Sequence, residues 1–381
     1  MTHSESIRIE RVTTRKQLKE FVQFYYDLYR SCPQAVPFLY SEEMDTLRRD
    51  KNPSFECCEA DYFLARSADG RVVGRVAAII NRRANEQWQR RQVRFGWFDF
   101  VDDTQVSRAL LDTVAQWGRE RGMTEIAGPL GFIDTDREGM LVEGFDELAT
   151  MYINYNYPYY EHHIAAYQGF EKDNDYLEYR ITVHEVTEKM AKSAELVKRR
   201  YGLRVHKFTR NELLHKNYGR EVFRLLNATY KDLYGFSQLS ERQIDHLVNS
   251  YIKIADLNLV TAVMDGDSMV AFGITFPSFT NALQHTRDGR LWPFGWWHLL
   301  RALKWHKTDT FDLLLVGVLP QYRQKGANVL IFDDIIRQAN NYGFSWAEAM
   351  PQMETNTGVN SLWHHLDARQ HRRHRVFSKT L

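Results

Sequence analysis

The stretch Leu313–Ile336 reads LLLVGVLPQYRQKGANVLIFDDII. Its apolar start, Leu313 to Val318, predicts a buried strand. Pro320 stops that strand. Arg323-Gln324-Lys325-Gly326-Ala327-Asn328 forms a tight basic turn, and Val329 to Ile336 continues with apolar residues at helical spacing. A strand, a basic glycine turn and a helix start point backbone N–H groups at one spot, where a pyrophosphate can sit. Gly326 lets the backbone approach an anion, while Arg323 and Lys325 add charge. The plain alternative is a strand-to-helix turn with surface charge.

Outward from this turn, the chain repeats one order of parts. In the first half, Ile7–Val12 reads as a strand and Leu18–Tyr29 as a helix. Tyr62–Ala65 and Val72–Ile80 form a hairpin around Asp69-Gly70. Phe95–Val101 is a strand, Thr104–Arg121 a helix, Glu125–Ala127 a strand, Tyr152–Tyr167 a helix and Tyr176–Val183 a closing strand. In the second half, Leu203–Phe208 is a strand, followed by helices Arg220–Leu233 and Ser240–Ala255. Leu259–Met264 and Met269–Phe276 form a hairpin around Asp265-Gly266-Asp267. Asp312–Val318 precedes the basic turn and Val329–Tyr342 follows it. Ser345–Met350 is a strand, Gly358–Leu366 a helix and Arg375–Ser378 a last strand. Strand, helix, hairpin, strand, helix, strand, helix, strand thus occurs twice, an internal repeat at domain scale. The expected class is α/β with a mixed sheet: residues 1–183, a linker helix over 184–202, and residues 203–381.

The 381 residues are 44% hydrophobic and 13% aromatic, enough for two filled cores, and the net charge of +1 gives no overall excess for nucleic acid. Cys32, Cys57 and Cys58 fit neither a disulfide framework nor a zinc spacing. They suit reduced thiols in a cytoplasmic protein. The polar start MTHSESIRIERV is no signal peptide, and no apolar run has the ~20 residues of a membrane span.

The two halves differ where an anion would dock. In place of the basic turn, the first half has Asp102-Asp103 at a helix start. Such carboxylates stabilise a helix by ~0.3–1 kcal/mol. At ~4 Å they repel a pyrophosphate charge by roughly 4 kcal/mol at an effective dielectric of ~20. Repulsion wins, so only the second half is expected to hold the anion. The first half has instead GPLGFIDTDREGMLVEGFDE over 128–147, where Asp134, Asp136, Glu138 and Glu143 are interleaved with glycines and apolar residues. This reads as a loop at a strand end, either a solvated acidic loop or a half-buried one whose carboxylates can act as bases. Tyr152-Ile153-Asn154-Tyr155-Asn156-Tyr157-Pro158-Tyr159-Tyr160 is either a packed aromatic helix start or a row of phenol donors.

Other groups carry less. The histidines at His162-His163, His364-His365, His371 and His374 lack metal spacing, so no metal is expected. Basic Arg369–Arg375 reads as a solvated charge run, or as a contact for phosphate or an anionic membrane. Leu291–His306 has four tryptophans and is either an inserted core helix, a wall for a long acyl chain or an interfacial helix.

The order of parts and the match Arg323-x-x-Gly326-x-Asn328 resemble the GNAT N-acyltransferase superfamily, whose motif is Arg/Gln-x-x-Gly-x-Gly/Ala. Asn328 departs at the last position. The resemblance covers nearly the whole chain as two tandem copies. It implies an acyl-CoA cosubstrate and direct attack by an amine on the thioester, without a covalent enzyme intermediate. It assigns Val318 and the turn Arg323, Gln324, Lys325, Gly326, Ala327 and Asn328 to the cofactor, together with Asn356. The helix after Met350 lacks the tyrosine that many members use as acid; Trp363 is the nearest aromatic. The expected chemistry therefore comes from the first half, with Asp136, Glu138 or Glu143 as base and Tyr157 or Tyr159 as acid. The long loop and YNYPYY are similar to a bacterial tandem-GNAT group, some of whose members are ceramide-synthase-like. That implies a long-chain, sphingoid-type amine acceptor. The alternatives are an aminoacyl transferase of the Fem kind, which would want a broad basic face, and a GNAT-fold binding protein without activity.

Overall fold

The computed structural model describes residues 7–305, 307–363 and 366–381. The predicted pair His364-His365 lies outside these residues, as does His306.

The strands are β1 (Arg8–Arg11), β2 (Cys58–Arg66), β3 (Val72–Asn81), β4 (Gln92–Phe100), β5 (Glu125–Gly128), β6 (Met140–Glu143), β7 (Glu171–Thr182), β8 (Arg204–His206), β9 (Val260–Asp265), β10 (Ser268–Pro277), β11 (Thr310–Val318), β12 (Trp346–Met353) and β13 (Ala368–Thr380). They join in one mixed sheet of order β1-β2-β3-β4-β5-β13-β7-β12-β11-β10-β9-β8, with β6 against β13 beyond the end of β5.

The repeat has a structural counterpart. Each half has an antiparallel run followed by one parallel pair, β4 with β5 and β11 with β12. Helix Thr104–Arg119 packs on the first run and helix Ala327–Tyr342 on the second. One glycine lets each helix approach: a Cβ on Gly74 would lie 2.8 Å from Val106, and one on Gly273 would lie 2.7 Å from Ile331. On the opposite face, helices Arg15–Leu28, Tyr218–Tyr230 and Glu241–Ile254 share a single core with the 132–155 loop.

The last strands of the two halves are exchanged. First-half β7 pairs with second-half β12, while C-terminal β13 lies between β5 and β7. This explains their length: β7 spans 12 residues and β13 spans 13, where Tyr176–Val183 and Arg375–Ser378 were expected. Arg369–Arg375 is accordingly not a solvated charge run. Arg372 is 1% exposed and His374 is fully buried. Arg372 lies opposite Glu178 of β7 and contacts it at 2.9 Å, with Glu348 of β12 at 3.4 Å. His374 meets Glu178 at 2.7 Å and His371 meets Glu348 at 2.9 Å. Burial pushes the Glu178 carboxyl up, but Arg372 and His374 outweigh it and hold it at about 2.

Three further expectations change. The loop predicted over 128–147 contains β6, because its apolar Met140 and Leu141 are buried beside β13. Helix Tyr152–Tyr167 shortens to Tyr159–Tyr167, since Tyr152–Tyr157 run as an irregular segment before Pro158. Trp-rich 291–305 is no core helix: Gly295–Trp305 is helical, but Trp292, Phe294, Trp296, Trp297 and Trp305 are exposed.

Candidate functional site

The two parallel pairs are short, and each opens a gap. β4 and β5 pair only over Gln92–Arg94, and β11 and β12 only over Thr310–Leu313. In the first half, the backbone after β5 fills the gap. Leu130 N donates to the Phe95 carbonyl at 2.9 Å, and a Cβ on Gly96 would lie 2.4 Å from the Leu130 carbonyl. In the second half the gap stays open as a cleft. Leu313, Leu314 and Val316 line one side, Ala349–Met353 the other, with Asn356 and Trp363 beside them.

The first-half loop reaches this cleft. Asp134 and Glu138 line it, as does Tyr176 of β7. The Tyr176 hydroxyl donates to Glu138 Oε2. Burial pushes Glu138 up to about 7, although the bond from Tyr176 and the charge of Arg94 pull it down. Burial, and then the Glu138 charge, push Asp134 well above the usual carboxylate range. Both Asp134 oxygens are buried without a hydrogen-bond partner among the described residues, as are the Gln352 amide and Trp363 Nε1. Buried polar groups are normally satisfied, so this many open valences on one cleft mark a place for a polar ligand. Tyr230 donates its hydroxyl to the Val316 carbonyl at 3.1 Å and fixes the cleft wall.

The other sequence-predicted candidates lie elsewhere. Asp136 Oδ2 accepts from Phe132 N at 2.7 Å and Ile133 N at 3.2 Å, so it ties the loop's own turn. Exposed Glu143 pairs with Arg373 at 3.0 Å on the surface of β6. Tyr157 donates to the Leu28 carbonyl at 3.2 Å and Tyr159 to the Phe100 carbonyl at 2.5 Å. These phenols stack at 5.6 Å within the first half and do not line the open cleft. Of the five acid–base candidates, the fold brings only Glu138 to it. Tyr176 and Arg94 were not singled out, and Asp134 was named only among the loop carboxylates, not as the base. The Asp134-x-x-x-Glu138 spacing was a signal for Asp134, whereas Tyr176 becomes a neighbour only through the strand exchange.

The basic turn stands at the end of β11. Gly326 has φ +78°, so a side chain there would be strained and would meet Val197 at 2.9 Å. Arg323 and Gln324 are exposed, and Lys325 lies 4.3 Å from the Tyr322 ring centre. Arg323 Nε donates to the Val318 carbonyl at 3.2 Å. The N–H groups do not all converge: Lys325 N and Gly326 N donate to the Tyr322 and Arg323 carbonyls at 3.2 and 3.3 Å. Those of Ala327 and Asn328 have no backbone acceptor among the described residues. Asn356 Oδ1 accepts from Val359 N at 3.3 Å and starts helix Thr357–Trp363 at the cleft rim. At the corresponding first-half turn, Asp103 accepts from Gln105 N at 2.8 Å and Asp102 meets His163 at 2.9 Å.

A second cavity, under the first-half gap, is lined by Glu43, Arg75, Asp99, Asp136 and Arg137. Some of its charges pair, Arg75 with Asp99 at 2.7 Å and Arg137 with Glu43. Glu42 and Asp136, which also line it, have no ion-pair partner among the described residues, and desolvation pushes both carboxyls up. Acid–base work needs a group free to exchange a proton, and in the β11–β12 cleft Glu138 is such a group, beside the basic turn at the end of β11. Among the described residues no cluster is suited to a metal ion, and no helix is long and apolar enough to cross a membrane.

No family model matches the sequence. Protein YghO of Escherichia coli (strain K12) is 26% identical over 377 residues, covering 96% of this chain and 94% of its own. The bacterial ceramide synthase of Caulobacter vibrioides is 26% identical over 386 residues, covering 97% and 96%. A solved tandem GNAT protein from the clavulanic acid biosynthesis pathway superposes with a TM-score of 0.57 at 10% identity, covering 98% of both chains. A GCN5-related N-acetyltransferase from Sphaerobacter thermophilus gives 0.53 at 13%, covering 98% and 95%. With the doubled element order and two splayed parallel pairs, these likenesses identify the chain as a tandem GNAT-fold protein.

Proposed function

We propose that this protein transfers a fatty acyl group from a CoA thioester to a long-chain amine, in the β11–β12 cleft. Acyl transfer in general is supported by the GNAT fold. The observation that carries the finer reading is Glu138: a carboxyl poised at about 7, hydrogen-bonded to a tyrosine, in the gap left open between β11 and β12. A lysine-like amine is only ~0.04% neutral at pH 7, so a base with a midpoint near 7 matches the need.

The cosubstrate's pantetheine would follow β11 past Val318, with its pyrophosphate at Arg323–Asn328 and helix start Ala327. The neutral amine attacks the thioester carbonyl carbon: the C–N bond forms and the C–S bond breaks. The proton leaving nitrogen goes to the Glu138 carboxylate. Tyr176 gives its proton to the departing thiolate and takes one from Glu138, so the pair returns to its starting state. Asp134, kept protonated by burial, offers a donor to the substrate without adding charge. The sphingoid-type acceptor is drawn from the relative named as a ceramide synthase, and the apolar walls Leu313, Leu314, Val316 and Phe332 suit an acyl chain.

The test is thiol release by the full chain from palmitoyl-CoA and acetyl-CoA, with and without sphinganine. Amine-dependent release that is faster with the long chain supports the proposal. Release that does not depend on the amine would instead point to thioester hydrolysis, and none with any CoA ester would favour a binding protein.

A further inference from the structure

The clearest unassigned surface is the insertion between β10 and β11. Helix Gly295–Trp305 sits on the shared core through Ala302, Leu299 and Leu303, which recur at helical spacing. Its other face turns out. Trp297 and Trp305, two turns apart, are 44% and 50% exposed with their rings 5.5 Å apart. Trp296 packs against Trp297 at 5.9 Å. Before the helix, Trp292 is 81% and Phe294 74% exposed. So many large rings in one exposed patch are unusual for a protein surface facing water alone.

The charge around the rings says what covers them. Arg301 and Lys304 lie between Trp297 and Trp305 on the outward side, and exposed Arg287 and Lys307 flank the segment. None of these four has an ion-pair partner among the described residues. Asp288, the one carboxylate near them in sequence before the helix, is paired with Arg30 at 3.2 Å. Unpaired cations interleaved with exposed rings suit a bilayer: Trp settles at the headgroup level, and cations on the same face meet anionic phosphates. We propose that the Trp292–Trp305 face docks the protein reversibly on an anionic lipid bilayer, independently of which reaction the cleft performs.

The test is vesicle co-sedimentation of the full chain, using phosphatidylcholine vesicles with and without phosphatidylglycerol. Binding is expected to the anionic vesicles, with a blue shift of tryptophan fluorescence. The exposed double substitution R301E/K304E should weaken it by more than about tenfold, at roughly fivefold per cation. W292S/F294S should weaken it by at least about tenfold through lost apolar burial. Both variants should keep the wild-type circular dichroism. R301E/K304E keeps all the rings, so loss of binding there cannot come from a disturbed helix seat. Equal binding to neutral and anionic vesicles, or unchanged binding by either variant, overturns the proposal. So does a concentration-dependent dimer that W292S/F294S abolishes, because a second copy would then be the cover.

Discussion

Glu138→Gln should make the protein more stable and less active at the same pH. Gln keeps the shape of the side chain but cannot ionise. The Glu138 midpoint lies at about 7 instead of 4.5 because burial disfavours its charge. At 1.36 kcal/mol per pKa step of one, the ionised carboxylate costs the fold roughly 3 kcal/mol. The sign follows from proton linkage. The folded state holds this proton more tightly than the unfolded chain, so the contribution is fully present below about pH 4.5 and is lost as pH rises through about 7. The amide of the variant carries no such loss. Wild type and variant should therefore melt together near pH 4.5 and separate towards pH 8. Unfolding entropy of ~2.1 cal/mol/K per residue over 381 residues converts roughly 3 kcal/mol into about 4 °C. Asp134 adds in the same direction, because without the Glu138 charge its own proton is held less tightly. Thiol release should meanwhile fall about 10²–10⁴-fold, the usual contribution of a positioned base. The wild-type rate should climb with pH to a plateau above about 7, and the variant should lose that limb. Scanning fluorimetry across pH and single-turnover thiol release read both effects. A melting difference that does not change with pH, or activity kept within about threefold, would refute the reasoning.

Tyr176→Phe removes a hydrogen bond that favours the Glu138 carboxylate, so the rising limb should move to higher pH in a pH–rate profile. Arg323→Ala with Lys325→Ala should raise KM for the CoA ester while kcat holds, because these exposed cations lie away from the reacting carbon; steady-state kinetics separates the two. Arg372→Ala leaves Glu178 and Glu348 buried without their shared guanidinium and should cost about 3–5 kcal/mol, read by urea denaturation.

Local pattern made much of the fold legible. The Asp69-Gly70 and Asp265-Gly266-Asp267 hairpins, the capped helix at Thr104 and the turn at Gly326 each carry their own signal within a few residues. The doubled order followed from those pieces. What could not be read was pairing between the ends of the halves. Arg369–Arg375 looks solvated because its neutralising carboxylates, Glu178 and Glu348, sit on strands far away in sequence. Glu138 was legible as a candidate because the apolar residues around it had to be buried, which raises a carboxyl's pKa. Tyr157 and Tyr159 misled for the same local reason: a run of phenols looks like a row of donors until the backbone carbonyls that take them are known. The tryptophans left a core helix, an acyl-chain wall and an interfacial helix open, since apolar rings at helical spacing look alike until their exposure is known.

The exchange of strands also explains why the two halves can differ in chemistry and still need each other. If each half kept its own last strand, the 128–147 loop would face its own gap. Here β13 enters between β5 and β7, and β6 of that loop is pinned along it. The loop backbone closes the first gap, and from its tip Asp134 and Glu138 reach the second cleft while Asp136 and Arg137 stay on the first-half cavity. β7 presents Tyr176 from the same crossing, while Asp175, beside it, is held through its carboxylate by Arg375 at 2.7 Å and Arg373 at 3.0 Å of β13. On the proposed reading, the Arg323–Asn328 turn belongs to one half and Glu138 to the other, joined by the exchanged strands β7 and β13. Asp103, which caps a helix, and Asp102, which meets His163, are compatible with such an arrangement, in which the first half would contribute its loop.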